Sequence, residues 1–461
     1  MIGRAAPIKR KGFPLRLPAW GLLLILAAGC GRAPDRPDIA LISIDALRAD
    51  ALGCYGYGRD TTPFLDRLAG RGVVFRNCVS TSSWTRPAMA SLMTGLYPRT
   101  HGVTTSYHKY SSPQTGGRSL VPSIETLAGV LEKAGYTTIG ITTNSNCGQG
   151  VSIDRGFTCF TQVGEDFVDP AEVYAAFQAV REEVQPSGPV FLWVHFLDPH
   201  GPWTPRAPWA GTYTDLTAAG ELADIEYQGK VIDEEIAHSR ETVAILKAFY
   251  DSEVKETDRY LEKLLGKFAE DALVIVTADH GDEFYEHGQL EHGKTLFEEV
   301  AKVPLIVRFP GNDFSGREVF SRVSLVDVFP TILDFLSLPA SAGTQGISLM
   351  PLLRQDREAG PDRLVFSEMY NPELETPKIS AVYEGDWKLV RQVSPPRTML
   401  FDLATDPEEK NDCAAAHPEI REKLEAALEE WEKSHPQSYF SGAPRPDEGE
   451  LRQLKALGYI N

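Results

Sequence analysis

Three short apolar runs in this chain end in side chains that bind divalent metals. Ile39-Ala40-Leu41-Ile42-Ser43-Ile44 ends in Asp45, and the run over 189–197 ends in Asp198-Pro199-His200. Leu273-Val274-Ile275-Val276-Thr277-Ala278 ends in Asp279-His280-Gly281-Asp282. One Asp after a strand is ordinary, because Asp forms turns. Three such endings, two with His alongside, are harder to assign to turns. Carboxylate oxygen with imidazole nitrogen suits Zn²⁺ or Mn²⁺, and less well Ca²⁺ or Mg²⁺.

Ester chemistry also needs a nucleophile. Ser82-Ser83-Trp84-Thr85-Arg86-Pro87-Ala88-Met89 reads as a loop entering a helix, with Thr85 as N-cap and Pro87 in the first turn. A hydroxyl at a helix N-terminus also sits beside free backbone N–H groups and the positive end of the dipole. A phosphoryl or sulfuryl group binds at such a place.

The elements that must position these residues follow from the pattern of runs. Near-continuous apolar strands at 39–44, 137–142, 189–196 and 273–277 alternate with helical stretches at 62–70, 123–134, 170–184 and 244–268. That alternation predicts an α/β fold with a large, mainly parallel sheet sandwiched by helices. In such sheets ligands bind beyond the carboxyl ends of the strands, which is where the three endings lie. After about residue 360, strand-like runs at 364–368, 379–383, 387–391 and 399–401 crowd together before a charged helix at 418–433. They predict a small C-terminal antiparallel α+β subdomain. Residues 451–460 read as a docking tail, and the acidic stretch 215–241 as a surface insertion.

Asp45-Ala46-Leu47-Arg48-Ala49-Asp50, with Gly53-Cys54-Tyr55-Gly56 and Thr61-Thr62-Pro63-Phe64-Leu65-Asp66, resembles the opening of the sulfatase family, within the alkaline-phosphatase-like superfamily. Thr94-Gly95-Leu96-Tyr97-Pro98-Arg99-Thr100-His101-Gly102 resembles the stretch after that family's nucleophile helix. The likeness continues through Asp198-Pro199-His200, Asp279-His280-Gly281, Glu286-His287-Gly288 and Lys294-Thr295-Leu296-Phe297-Glu298-Glu299. Trp387-Lys388-Leu389-Val390 and Leu400-Phe401-Asp402-Leu403 resemble its second domain.

One departure bears on the chemistry. The family carries Cys or Ser in a Cys/Ser-x-Pro-x-Arg motif, and that residue becomes formylglycine. The register places Thr85 at that position, with Pro87 two residues on and Met89 where the Arg belongs. Thr cannot be converted, so no formylglycine is expected. The family's Gly-Lys-x-His segment is replaced near Thr142-Thr143-Asn144-Ser145.

An unmodified Thr resembles instead the phosphoryl-transferring branches of the superfamily, such as nucleotide pyrophosphatases and phosphoethanolamine transferases. That resemblance implies Asp45, Asp279, His280 and Thr85 around one divalent ion, of zinc, manganese or calcium. The ion lowers the Thr85 hydroxyl pKa and polarises the ester. Thr85 attacks in line, and Lys294 and His292 neutralise charge on the transferring group. Asp198 and His200, with His292, contact substrate or form a second metal site.

With 64 acidic and 46 basic side chains and a formal charge of −18, the chain lacks the basic surface that nucleic acid requires. Arg4, Lys9, Arg10, Lys11 and Arg16 precede an apolar run at 19–28, the layout of a signal peptide. Leu26-Ala27-Ala28-Gly29-Cys30 resembles a bacterial lipoprotein cleavage site, with Cys30 lipidated. The expected organisation is a signal at 1–29, a tether at 30–38, a catalytic domain at 39–360 and a C-terminal subdomain with its tail at 361–461. The expected place is the periplasmic or cell-surface face of a membrane, held by the lipid anchor. Cys54, Cys78, Cys147, Cys159 and Cys413 read as structural, with Cys147 and Cys159 spaced for a short-loop bridge.

The leading functional expectation is a metal-dependent hydrolase or transferase of phosphate or sulfate esters, acting through Thr85 on a small-molecule, lipid or glycan ester. The alternatives are a sulfuric ester hydrolase in substrate class and a catalytically silent, membrane-tethered binding protein.

Overall fold

A computed structural model describes residues 36–104, 119–164, 168–233, 235–237, 239–268, 270–354, 363–370, 378–436 and 452. The signal segment, Cys30 and all of the tail except Arg452 lie outside these residues.

The strands, in chain order, are β1 (Ile39–Ile44), β2 (Val73–Val79), β3 (Thr137–Thr142), β4 (Cys159–Gln162), β5 (Val190–Phe196), β6 (Leu273–Ala278) and β7 (Glu283–Phe284). They continue as β8 (Leu290–Glu291), β9 (Lys302–Arg308), β10 (Arg317–Ser324), β11 (Val365–Met369), β12 (Ile379–Glu384), β13 (Trp387–Gln392) and β14 (Arg397–Asp402). Eight of them form one sheet in the order β10-β2-β9-β6-β1-β5-β3-β4. Only β9 runs antiparallel to its neighbours, so the sheet is mainly parallel, as its apolar runs predict. Every residue of β1 and β6 is buried, the state of a central strand covered on both faces.

Register sets the working rim. Ile44 lies opposite both Phe196 and Ala278, and Thr142 lies opposite His195. The residues that follow each strand therefore emerge level at the carboxyl edge, Asp45 and Asp279 among them. The helix Arg240–Leu265, capped by Ser239, buries Leu246, Phe249, Tyr250, Val254, Leu261 and Leu264 along one face. From it the Tyr250 hydroxyl accepts from Arg48 N (2.8 Å) and donates to Ala46 O (3.0 Å), pinning the loop after Asp45.

The second sheet, β11-β12-β13-β14, is antiparallel throughout. One face packs Val365, Met369, Ile379 and Tyr383 against Val79 and Leu296 of the larger unit. On the other, Trp431 of the helix Pro418–Ser434 stacks on Phe366 at 4.2 Å.

Three sequence expectations are corrected. Thr85 is the first residue of the helix Thr85–Thr94, and Trp84, in extended conformation, is the N-cap. Cys147 and Cys159 are free thiols; β4 pairs in register with β3 without a bridge between them. The stretch 215–241 contains the helix Ile225–Ile232, whose Gln228, Val231 and Ile232 are buried. The His287 ring stacks on Phe297 and its Nδ1 contacts Glu299.

Candidate active site

Asp45 is fully buried and held from two sides. Its Oδ2 accepts from Asn144 Nδ2 at 2.6 Å and lies 3.2 Å from His195 Nε2. The proton on His195 can be placed by following the chain of donors. Trp193 Nε1 donates to Ser43 Oγ (3.0 Å), which leaves the Ser43 hydroxyl proton for His195 Nδ1 (2.8 Å). His195 therefore carries its own proton on Nε2 and donates it to Asp45. These donors fix Oδ2 and leave Oδ1 facing His280 Nε2. Ala46, next in the chain, adopts a left-handed φ of 54°, uncommon outside glycine, and donates its N–H to Asp279 Oδ1 (3.2 Å).

Asp279 Oδ1 also takes the backbone N–H of His280 at 2.9 Å, whereas its buried Oδ2 has no hydrogen-bond partner. His280 Nδ1 lies 3.0 Å from Gly281 O, so Nδ1 holds the proton and Nε2 presents a lone pair. That Nε2 is 3.3 Å from Asp279 Oδ2, 3.4 Å from Asp45 Oδ1 and 3.3 Å from Thr85 Oγ1. The Thr85 hydroxyl is also 3.4 Å and 3.5 Å from the two Asp45 oxygens. Its helix is buried along its whole length and starts at Thr85, so the first-turn N–H groups point toward the same space.

The electrostatics are those of a site built for a cation. Burial would raise the Asp45 carboxyl, but His200, His195 and His280 outweigh it and hold it well below the usual range. Asp279, buried and facing the Asp45 charge, is pushed up to about 8. Burial pushes His280 down. Two carboxylates in one dry space cannot both ionise without positive charge between them.

The donor atoms of Asp45, Asp279 and His280 all lie within 4.8 Å of one another. That spacing suits one ion at about 2.0–2.6 Å from each ligand. The unpartnered Asp279 Oδ2 and the committed His280 Nδ1 are what a metal site requires, so these residues fit a divalent ion.

His292 stands beside them, its ring 4.2 Å from His280 and 4.8 Å from His200. Its Nδ1 lies 2.7 Å from Asp282 Oδ1, and burial, His280 and His200 push its pKa well down. Asp198 faces elsewhere: Arg206 pairs with its carboxylate and reaches Glu256 at 3.3 Å. Burial and the nearby Glu256 push Asp198 up to about 7 against the pull of Arg206. Lys294 Nζ donates to Leu290 O at 3.3 Å. Asp198 and Lys294 belong to none of the three-residue metal-competent clusters among the described residues.

Several residues went unread in the sequence. Asn144 and Asn146 occupy the place of the missing basic segment. Asn144 Oδ1 accepts from Asn146 N (2.8 Å), and Asn146 Oδ1 accepts from Arg86 Nε (3.1 Å) and NH2 (3.0 Å). Arg86, the residue after Thr85, is buried and its guanidinium is held on Asn146. For Ser43 and His195, which lie opposite each other in register, the available signal was a polar residue inside an apolar strand.

A family model described as sulfatase matches residues 37–338, and one described as N-sulphoglucosamine sulphohydrolase, C-terminal, matches residues 285–434. A Delta 4,5-hexuronate-2-O-sulfatase of Bacteroides thetaiotaomicron is 24% identical over 85% of this chain and 87% of its own length. Arylsulfatase K of Gallus gallus is 26% identical over 88% of this chain and 85% of its own. Among solved structures, the phosphonate monoester hydrolase of Agrobacterium radiobacter superposes with a TM-score of 0.67 at 20% identity, over 89% of this chain and 100% of that one. A protein in complex with its substrate D-glucosamine-2-N,6-O-disulfate gives 0.70 at 19% identity, over 87% and 98%. The chain belongs to the sulfatase family and is an ester hydrolase of that class.

Proposed function

We propose that the protein cleaves phosphate or sulfate esters with the unmodified Thr85 hydroxyl as nucleophile, beside a divalent ion held by Asp45, Asp279 and His280. The observation that carries this reading is the position of Thr85 Oγ1, 3.3 Å from His280 Nε2 and 3.4 Å from Asp45 Oδ1. When bound, such an ion supplies Lewis-acid stabilisation of oxyanion charge and favours the ionised hydroxyl. The chain's own residues do the rest. Asp45 is locked in orientation by Asn144 and His195, and lies within reach of the Thr85 proton. The helix start favours an anionic group at Thr85. His292, oriented by Asp282 and 4.2 Å from the His280 ring, is placed to contact the transferring group.

The test is a panel of aryl phosphate, phosphodiester, phosphonate and sulfate esters, each with Mn²⁺, Zn²⁺, Ca²⁺ or Mg²⁺. Turnover is expected to require metal and to fall roughly a thousandfold or more in Thr85→Ala. A Thr85→Ala protein with wild-type turnover would remove the nucleophile from the mechanism. A second reading, hydrolysis of sulfate esters on sugars, is favoured by the names of the curated relatives. Preference for the sulfate members of the panel decides for it. Absence of turnover and of metal uptake decides for a binding role.

A further inference from the structure

The hairpin of β7 and β8, with the segment that leads into β9, encloses another group of metal-competent side chains. It shares no residue with the Thr85 centre. Glu283 and Glu299 each offer a carboxylate oxygen and His287 a ring nitrogen, and the three atoms lie within 4.8 Å of one another. Glu283 is wholly buried. The Thr295 hydroxyl donates to its Oε1, while Oε2, equally buried, has no hydrogen-bond partner.

The imidazole is set up from the far side. His287 Nε2 lies 3.2 Å from Glu409 O, and a carbonyl only accepts. His287 Nε2 therefore holds a proton, and Nδ1, which faces Glu299, is the atom a metal would take in place of its own proton. Phe297 clamps the ring in place, stacked at 3.7 Å and 10°. Against burial, Glu299 pushes the His287 ring up, and burial pushes the Glu283 carboxyl up to about 7, so protons quench the charge of the cluster and a divalent cation is the ligand that would displace them. Glu299, together with Glu286 and Lys410, also lines a cavity of about 480 Å³, which gives an ion a way in.

We propose that Glu283, His287 and Glu299 bind a second divalent cation, of the zinc or manganese class, which fastens β7 to the segment before β9. The oxygen–nitrogen–oxygen donor set fits those ions. A protonated His287 paired with Glu299 and no metal is the competing outcome.

The experiment counts metal. Wild type, Asp279→Asn, and Asp279→Asn combined with Glu283→Gln or with Glu299→Gln are stripped with chelator. They are then reloaded with Zn²⁺ or Mn²⁺, desalted and assayed by mass spectrometry for metal per chain. Circular dichroism accompanies each, and two alternative second substitutions guard against one that fails to fold. The expected result is two equivalents in wild type, one in Asp279→Asn and none in either double variant. The expected equivalent in Asp279→Asn also raises Tm on loading. An Asp279→Asn protein that holds no metal overturns the proposal, as does one whose single equivalent survives both double substitutions. One equivalent in wild type that survives Asp279→Asn but disappears in Glu299→Gln supports this site while sinking the catalytic-metal reading.

Discussion

At the residue scale, the centre is a set of strongly constrained protons rather than a set of residue types. Asp45, Asp279 and His280 stood out in the sequence because each follows an apolar run, and Thr85 because it opens a helix. The residues that orient them did not. Ser43 and His195 lie inside strands β1 and β5, where a polar side chain reads as an interruption. Only parallel register puts them opposite each other and in line with Trp193 and Asp45. Asn144 carried even less signal, because its role depends on where β3 ends relative to β1. Asn144→Ala removes the 2.6 Å hydrogen bond to Asp45 Oδ2. Metal affinity and kcat/KM are each expected to fall roughly 10–100-fold, as when the outer partner of a ligand is lost. Titration with Mn²⁺ and steady-state kinetics on the purified variant measure both, and an unchanged metal affinity would strip Asn144 of its orienting role.

At the element scale, the loop after β6 is shaped by a close approach. A side-chain carbon on Gly281 would lie 2.1 Å from Glu299 O, and Gly281 N donates to Val300 O at 3.0 Å. His280 is therefore held against the short helix Glu298–Ala301 by a contact that only glycine permits. Gly281→Ala is expected to cost about 1–3 kcal/mol through backbone displacement. Urea denaturation reads this as a lower midpoint, and a midpoint equal to wild type would show the loop to be adaptable. The elements hardest to read from sequence were β9 and β10. Pro304 argues against a central strand, yet β9 lies between β2 and β6. The strand tolerates it because the β2–β9 register shifts between Phe75 and Cys78, beside Pro304. β10 alternates exposed and buried residues at the edge of the sheet, so it lacks the continuous apolar run of β1.

At the scale of the whole molecule, the two sheets are joined by apolar packing and by buried charge, the cluster around Lys388 among it. Lys388 of β13 is inaccessible to solvent, and its Nζ lies 2.8 Å from Glu409 Oε1 and 3.1 Å from Glu298 Oε1. Tyr383 of β12 adds a hydroxyl to Glu298 at 3.0 Å. The crowded C-terminal strands and their helix were legible as a small α+β unit. Their attachment was not, since Lys in Trp-Lys-Leu-Val alternates like a solvent-facing position. Lys388→Ala leaves Glu409 buried without its cation and Glu298 with only the longer Arg322 contact, at an expected cost of about 3–5 kcal/mol. Guanidinium unfolding followed by tryptophan fluorescence measures it. A loss below about 1 kcal/mol would mean that water or rearrangement compensates the carboxylates.

The Lys388 junction also has a consequence for how the chain matures. Glu298 stands just before β9, where the second sheet covers it; Arg322 of β10 lies 3.9 Å away, but the nearer cation, Lys388 at 3.1 Å, is encoded further downstream. A ribosome delivers the acidic partner first and the basic one only after β10, β11 and β12 have been made. Until then Glu298 has only the longer contact to Arg322, and closing the junction over it is opposed. Order of synthesis thus ties completion of the catalytic half to the arrival of the C-terminal half, making the last-made strands a checkpoint on the first.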